Sequence, residues 1–215
     1  MKILIAIPSG DEVKANFAEC LVGLRTPVGT EILFCVGSLI YDARNKLAKR
    51  AVDGCFTHVL WIDSDMTFEP DTLERMIASM GDDKDVLTAL CFGRKDPFPP
   101  CVYSKCSIIP EGQVYRLDVQ YVQSIPEGVF PVEGCGLAGV LMKTDVLAEI
   151  VNKGVMPFSP IYGLGEDLSF CARLNNLGKK IWCDPSIQFG HVSSVVIGGQ
   201  SFIDEWNNKP KKVTL

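Results

Sequence analysis

The first ninety residues alternate between short apolar runs and segments with helical periodicity, and this alternation constrains the possible fold more than any other feature of the chain. Residues 2–7 read as a strand, and Asp11 is placed to cap an amphipathic helix over 12–24. Glu31 to Val36 is a second strand, followed by a helix near 42–53. Residues 57–62 supply a third strand, Glu69 to Met80 a helix with Pro70 in its first turn, and Asp85 to Cys91 a fourth strand. Strands that alternate with helices pack as layers, so the pattern predicts an α/β fold with a mainly parallel central sheet flanked by helices.

From Phe92 to Pro131 the helical period vanishes. Prolines and short extended pieces such as Cys101-Val102-Tyr103 and Gln113-Val114-Tyr115 predict hairpins and a long loop, a usual place for recognition surface. A strand near 137–143, a helix near 144–153, a helix near 166–177 ended by Gly178, and strands near 180–183 and 186–190 follow. With 215 residues, 47% of them hydrophobic, the chain can bury one sizeable core, and one domain over 1–192 with a tail at 193–215 is expected.

A net charge of −5 leaves no electrostatic footprint for nucleic acid. The basic run Lys209-Pro210-Lys211-Lys212 reads as a solvated tail with at most peripheral membrane contact. The nine cysteines form no C-x-x-C pair and predict free thiols in a reducing compartment. The opening apolar run is too short for a signal core and is cut off by Pro8, and no later stretch could span a bilayer, so a cytoplasmic protein is expected.

Asp63-Ser64-Asp65 stands at the end of the third strand. In an extended segment residues i and i+2 point the same way, so both carboxylates could face one oxygen-coordinated divalent cation at the carboxyl edge of the sheet, where open α/β sheets bind ligands. A solvated aspartate-rich turn is the plain alternative. An EF-hand loop fails, because Phe68 stands where glycine is needed and a strand precedes. A phosphatase of the haloacid-dehalogenase type, with Asp63 as nucleophile and Asp65 as acid/base, would place the motif after the first strand of its core; here two strand–helix units come before it.

A second group of residues, Tyr162-Gly163-Leu164-Gly165-Glu166-Asp167, brings two carboxylates to a helix start after a glycine-permitted turn, where capping alone would also explain them. His191, at a strand end, is an imidazole that could complete a metal shell, although a lone histidine there is usually structural. Gly134-Cys135-Gly136-Leu137-Ala138-Gly139 spells G-x-G-x-x-G, but it precedes a strand, whereas a dinucleotide site needs a strand before it and a helix after. It reads instead as close-packed backbone beside the ligand.

In order, these pieces resemble nucleotide-sugar glycosyltransferases of the GT-A fold, and are similar to the inverting family 2 and its small phage and bacterial relatives. The matching elements are Ile5-Ala6-Ile7-Pro8-Ser9, Asp42-Ala43-Arg44-Asn45, Trp61-Ile62-Asp63-Ser64-Asp65, Gly134-Cys135-Gly136, Gly165-Glu166-Asp167 and His191. The resemblance implies a nucleotide-binding half over 1–91 and an acceptor-binding half over 92–192. It implies that Asp65, Asp63 and His191 hold Mn2+ or Mg2+, with Asp63 also approaching the ribose. Pro8, Ser9 and Arg44, with Ser64, would line the donor pocket. Asp167 would be the general base and Glu166 would orient a sugar. Arg94, Lys95, Tyr103 and Gly136 are the expected acceptor-side residues. The partners implied are a nucleotide-diphosphate sugar and an acceptor hydroxyl, with inversion the favoured outcome. The acidic base-reading residue usual after the second strand is missing, since Cys35-Val36-Gly37-Ser38 stands there. A non-catalytic sugar- or partner-binding module on the same fold is the remaining alternative.

Overall fold

The computed structural model describes residues 1–193 apart from 38, 113 and 162. Ser38, Gln113, Tyr162 and all but the first residue of the expected tail therefore lie outside the described residues. The strands are β1 (Ile3–Ser9), β2 (Glu31–Val36), β3 (His58–Ile62), β4 (Met66–Thr67), β5 (Val86–Leu90), β6 (Val102–Glu111), β7 (Val114–Tyr121), β8 (Phe130–Val132), β9 (Gly134–Cys135), β10 (Gly139–Lys143), β11 (Ile181–Gln188) and β12 (Gly190–His191). The helices are α1 (Ala15–Gly23), α2 (Ile40–Asp53), α3 (Thr72–Met80), α4 (Thr144–Val151) and α5 (Glu166–Asn176).

A seven-stranded sheet in the order β2-β1-β3-β10-β5-β11-β8 forms the centre. Strands β2, β1, β3, β5 and β11 run one way, and β10 and β8 run against them. The sheet is thus mixed and mainly parallel. Alternation along each strand feeds both faces: Leu4 and Ala6 of β1, with Val59 and Trp61 of β3, meet α2, α4 and α5 on one side. Ile3, Ile5 and Ile7, with Leu60 and Ile62, meet Phe17 of α1 and Leu73 and Met76 of α3 on the other. A period of two along a strand buried on both faces requires this continuous apolar run.

The expected elements recur with adjusted ends. The first helix begins at Ala15, and its N-terminal boundary is Lys14 with no side-chain cap, so Asp11 does not cap it. The third helix begins at Thr72, past Pro70. The two strands expected near 180–183 and 186–190 are one strand, β11, with a register shift between Asp184 and Gln188, and the chain then continues into β12. The proline-rich middle folds into the β6–β7 hairpin, whose first strand also pairs with β9. In the G-x-G-x-x-G segment a Cβ on Gly139 would press on the Phe189 ring at 3.0 Å and one on Gly134 on Cys106 Cβ at 3.0 Å. This is close packing before strand β10 rather than a phosphate-binding turn. Among the described residues no helix is long and apolar enough to cross a membrane.

Candidate functional site

Parallel pairing of β1 with β2 and β3 sets Ser9 opposite Val36 and Ala6 opposite Trp61. All three strands therefore release the chain at one edge of the sheet. The residues that follow them, Ser9-Gly10, Gly37 and Asp63-Ser64-Asp65, border a cleft of about 260 Å³ that is completed by Pro8, Ile40, Ala43, Arg94 and His191. This is the carboxyl edge at which open α/β sheets take ligands.

The two aspartates border the same cleft but engage different partners. Strand β3 ends at Ile62, and Met66 N donates to Asp63 O across a turn (3.2 Å), so the i, i+2 geometry of an extended strand no longer holds at Asp65. Asp63 follows the alternation of Val59 and Trp61 toward the α2 layer and accepts a hydrogen bond from Arg44 Nη2 at 2.7 Å. Asp65 turns into the cleft, where its Oδ2 lies 2.9 Å from Arg94 Nη1 and 3.3 Å from His191 Nε2. Among the described residues no three His, Cys, Asp or Glu side chains converge as a ready metal cage.

His191 arrives through a two-residue ribbon. Strand β12 pairs with β4, setting His191 opposite Met66, and Val192 N donates to Asp65 O at 2.9 Å. A Cβ on Gly190 would overlap Thr67 Oγ1, so the ribbon packs closely there. His191 Nδ1 lies 3.0 Å from the Phe92 carbonyl. A carbonyl oxygen only accepts, so Nδ1 carries the hydrogen, and in the neutral ring the Nε2 lone pair faces Asp65. A carboxylate oxygen and an oriented imidazole nitrogen converging at this distance, with a carbonyl fixing the ring from behind, is a donor set that suits a divalent ion.

Arg44 lies behind the cleft rather than in its wall. Its side chain is 1% exposed. It faces Trp61, with the guanidinium carbon 5.7 Å from the ring centre. Besides Asp63 it reaches Glu166 Oε1 through Nε at 3.4 Å, and its Nη1 finds no partner among the described residues. One buried guanidinium thus links the turn after β3 to the start of α5. Asp167, next to Glu166, accepts from Leu168 N at 2.7 Å. Burial pushes its carboxyl above the ordinary range and Glu166 adds to this, while backbone hydrogen bonds and Arg44 pull the other way.

Of the expected acceptor-side residues, Tyr103 stacks on Tyr121 with ring centres 4.9 Å apart, and Gly136 sits against Cys101, where a Cβ would come within 3.4 Å of Cys101 Cβ. Lys95 is exposed on the loop between β5 and β6, where its carbonyl accepts from Phe98 N at 2.7 Å. Arg94 borders the same cleft as Pro8 and Ser9 and pairs with Asp65. Gly10, Gly37 and Ile40 carry no role in the sequence reading, although Gly10 adjoins Ser9, and Ala43 enters it only as part of Asp42-Ala43-Arg44-Asn45. The neighbouring Cys91 thiol lowers the pKa of Cys101, and Cys101 together with burial raises that of Cys91.

The sheet order and the site at its carboxyl edge define a GT-A-like fold. A crystal structure of the protein A197 from STIV superposes with a TM-score of 0.67 at 18% identity, covering 90% of this chain and 87% of that one. A crystal structure of GalNAc-T7 with UDP, GalNAc and Mn2+ superposes with a TM-score of 0.60 at 10% identity, covering 91% of this chain and 44% of that one. This chain thus spans less than half the length of that glycosyltransferase. No family model and no curated protein matches the sequence. With this fold established, the haloacid-dehalogenase alternative loses its support.

Proposed function

We propose that this protein is a nucleotide-sugar glycosyltransferase that binds its donor in the cleft at the carboxyl edge of β1, β2 and β3. The observation that carries the reading is the meeting of Pro8, Ser9, Asp63, Ser64, Asp65 and His191 in that one cleft, with Arg44 behind it tying Asp63 to Glu166. The resemblance in fold to GalNAc-T7 supports it. Residues 1–91 form the nucleotide half and 92–192 the acceptor half.

Asp65 and His191, with Asp63 beside them, would hold the divalent cation, Mn2+ or Mg2+. Bound there, the ion would offset the charge between diphosphate and carboxylates and favour departure of the nucleoside diphosphate. Asp63, its Oδ1 engaged by Arg44, offers its other oxygen toward the ribose. Asp167 takes the proton of the acceptor hydroxyl. The oxygen bonds to the anomeric carbon as the bond to the diphosphate breaks, the leaving group keeps the electron pair, and the sugar inverts. Desolvation suits Asp167 to this task, since a carboxylate less willing to stay charged is a stronger base. Glu166 orients a sugar from its place beside Arg44.

Calorimetric titration with UDP and with GDP, in Mn2+ and then in EDTA, tests the reading. Binding that requires both the metal and Asp65, lost in Asp65→Ala, is expected. Failure of both nucleotides to bind would overturn it. Binding without turnover of any donor, indifferent to Asp167→Asn, would point to a non-catalytic module.

A further inference from the structure

Arg94 brings a positive charge to the cleft carboxylate. Its Nη1 is 2.9 Å from Asp65 Oδ2, the same oxygen that faces His191 Nε2 at 3.3 Å. The guanidinium thus supplies positive charge to the cleft carboxylate. Its side chain is 55% exposed and can rotate. The backbone beneath it is pinned, with Cys101 N donating to Cys91 O at 2.8 Å and Gly93 N to Pro99 O at 2.9 Å. The Phe92 carbonyl, two residues earlier, holds His191 in place at 3.0 Å. The loop therefore fixes the metal-facing histidine and leaves the Arg94 side chain as its movable part.

We infer that Arg94 is a two-position arginine, a surrogate cation on Asp65 when the cleft is empty and a diphosphate ligand when the donor is bound. The inference rests on the donor-site reading above. A divalent ion held by Asp65 and His191 would face the Arg94 guanidinium at close range, and repulsion between the like charges drives Arg94 off Asp65 as the site is loaded. The nearest anion is then the diphosphate, whose oxygens match the planar fork of arginine better than the point charge of lysine. Only a side-chain rotation is needed. The site would thereby keep its carboxylate charge-balanced in both states.

The two positions predict opposite effects of one substitution. Arg94→Ala removes a competitor for Asp65, an exposed ion pair whose usual worth corresponds to about a two- to fivefold gain in Mn2+ affinity without nucleotide. The same change removes a charge-assisted contact to the diphosphate, so UDP or GDP should bind roughly ten- to a hundredfold more weakly at saturating Mn2+. Arg94→Lys should fall between on both measures. Mn2+ binding is read from loss of the free-ion paramagnetic resonance signal and nucleotide binding by calorimetry, with a thermal melt to confirm folding. Crossed signs support the exchange. Mn2+ affinity that is unchanged or weakened in Arg94→Ala overturns it, as does an unchanged diphosphate affinity. A wild-type protein that binds neither Mn2+ nor nucleotide would instead bring down the donor-site reading, and this inference with it.

Discussion

Replacing Arg44 by methionine tests how the site is held together. The substitution keeps an unbranched apolar stem against Trp61 but removes the charge shared by Asp63 and Glu166. Breaking a buried ion pair by deleting one partner typically costs about 3–5 kcal/mol. Two features lower that figure here. Asp63 and Glu166 keep 27% and 17% of their side-chain surface exposed, so water recovers part of the loss. Arg44 Nη1 is buried without a partner among the described residues, so the wild-type guanidinium already bears an uncompensated desolvation cost. The net loss should be about 2–3 kcal/mol. At roughly 2–4 °C per kcal/mol for a chain of this size, the melting temperature should fall by about 4–12 °C. Guanidinium chloride unfolding at pH 7 measures the loss directly, and because the pair is buried, added NaCl should change the difference little in parallel thermal melts. Arg44 also favours ionisation of Asp167, so the variant should titrate Asp167 still higher and move the acidic limb of any activity profile upward. A variant within about 0.5 kcal/mol of wild type, the range of ordinary surface substitutions, would show that Arg44's desolvation cancels its ion pairs and would refute the structural role assigned to it.

Asp167→Asn should lower transfer by roughly a hundred- to ten-thousandfold while nucleotide binding stays within a factor of two or so, measured by turnover and calorimetry together. The same variant carries a stability signature. Because the fold raises the Asp167 pKa above 3.8, wild type gives up stability as pH climbs from that value through the folded one, so the Asn variant should melt higher at pH 7 and lose its advantage below about pH 4. Gly190→Ala should cost about 1–3 kcal/mol by overlap with Thr67 Oγ1 and weaken Mn2+ binding by displacing His191; adding Thr67→Ala should restore both, and failure of the double variant to recover would argue against the β4–β12 contact as the cause. Asp184 is pushed up by burial, but hydrogen bonds from Ser79 Oγ (2.6 Å) and from Ser186 Oγ and N (2.7 and 2.9 Å) prevail and hold its pKa below the ordinary carboxylate value. Its contribution is present at neutral pH and lost as pH falls through that depressed value, so Ser79→Ala should cost about 1–3 kcal/mol at pH 7 and less in acid, as followed by denaturant unfolding across pH.

Much of the scaffold was legible in the sequence because it depends on local periodicity. Glu31 to Val36 is strand β2 with the same ends in both readings, since an apolar run bounded by turn residues needs no partner to be recognised. The ends of α1 and α3 moved, because Asp11 and Pro70 are start signals that the packing of Phe17 and Leu73 did not use. Pro8, Ser9, Asp63, Asp65 and His191 could be picked out as residue types suited to one chemistry. Their meeting in one cleft depends on parallel register between strands far apart in sequence.

The chain's own order of residues thus determined which segments are strands, which are helices, and that carboxylates would stand at the sheet's carboxyl edge. Only the tertiary structure decided what those carboxylates face. The turn after Ile62 sends Asp63 to a buried arginine and Asp65 to the cleft, and the bulge in β11 followed by the short ribbon to β4 brings His191 to Asp65. It also set Arg94 against the Asp65 carboxylate. Periodicity is written in neighbouring residues, whereas these pairings join positions up to 126 apart, Asp65 with His191, whose proximity is set by strand order and packing rather than by any local pattern.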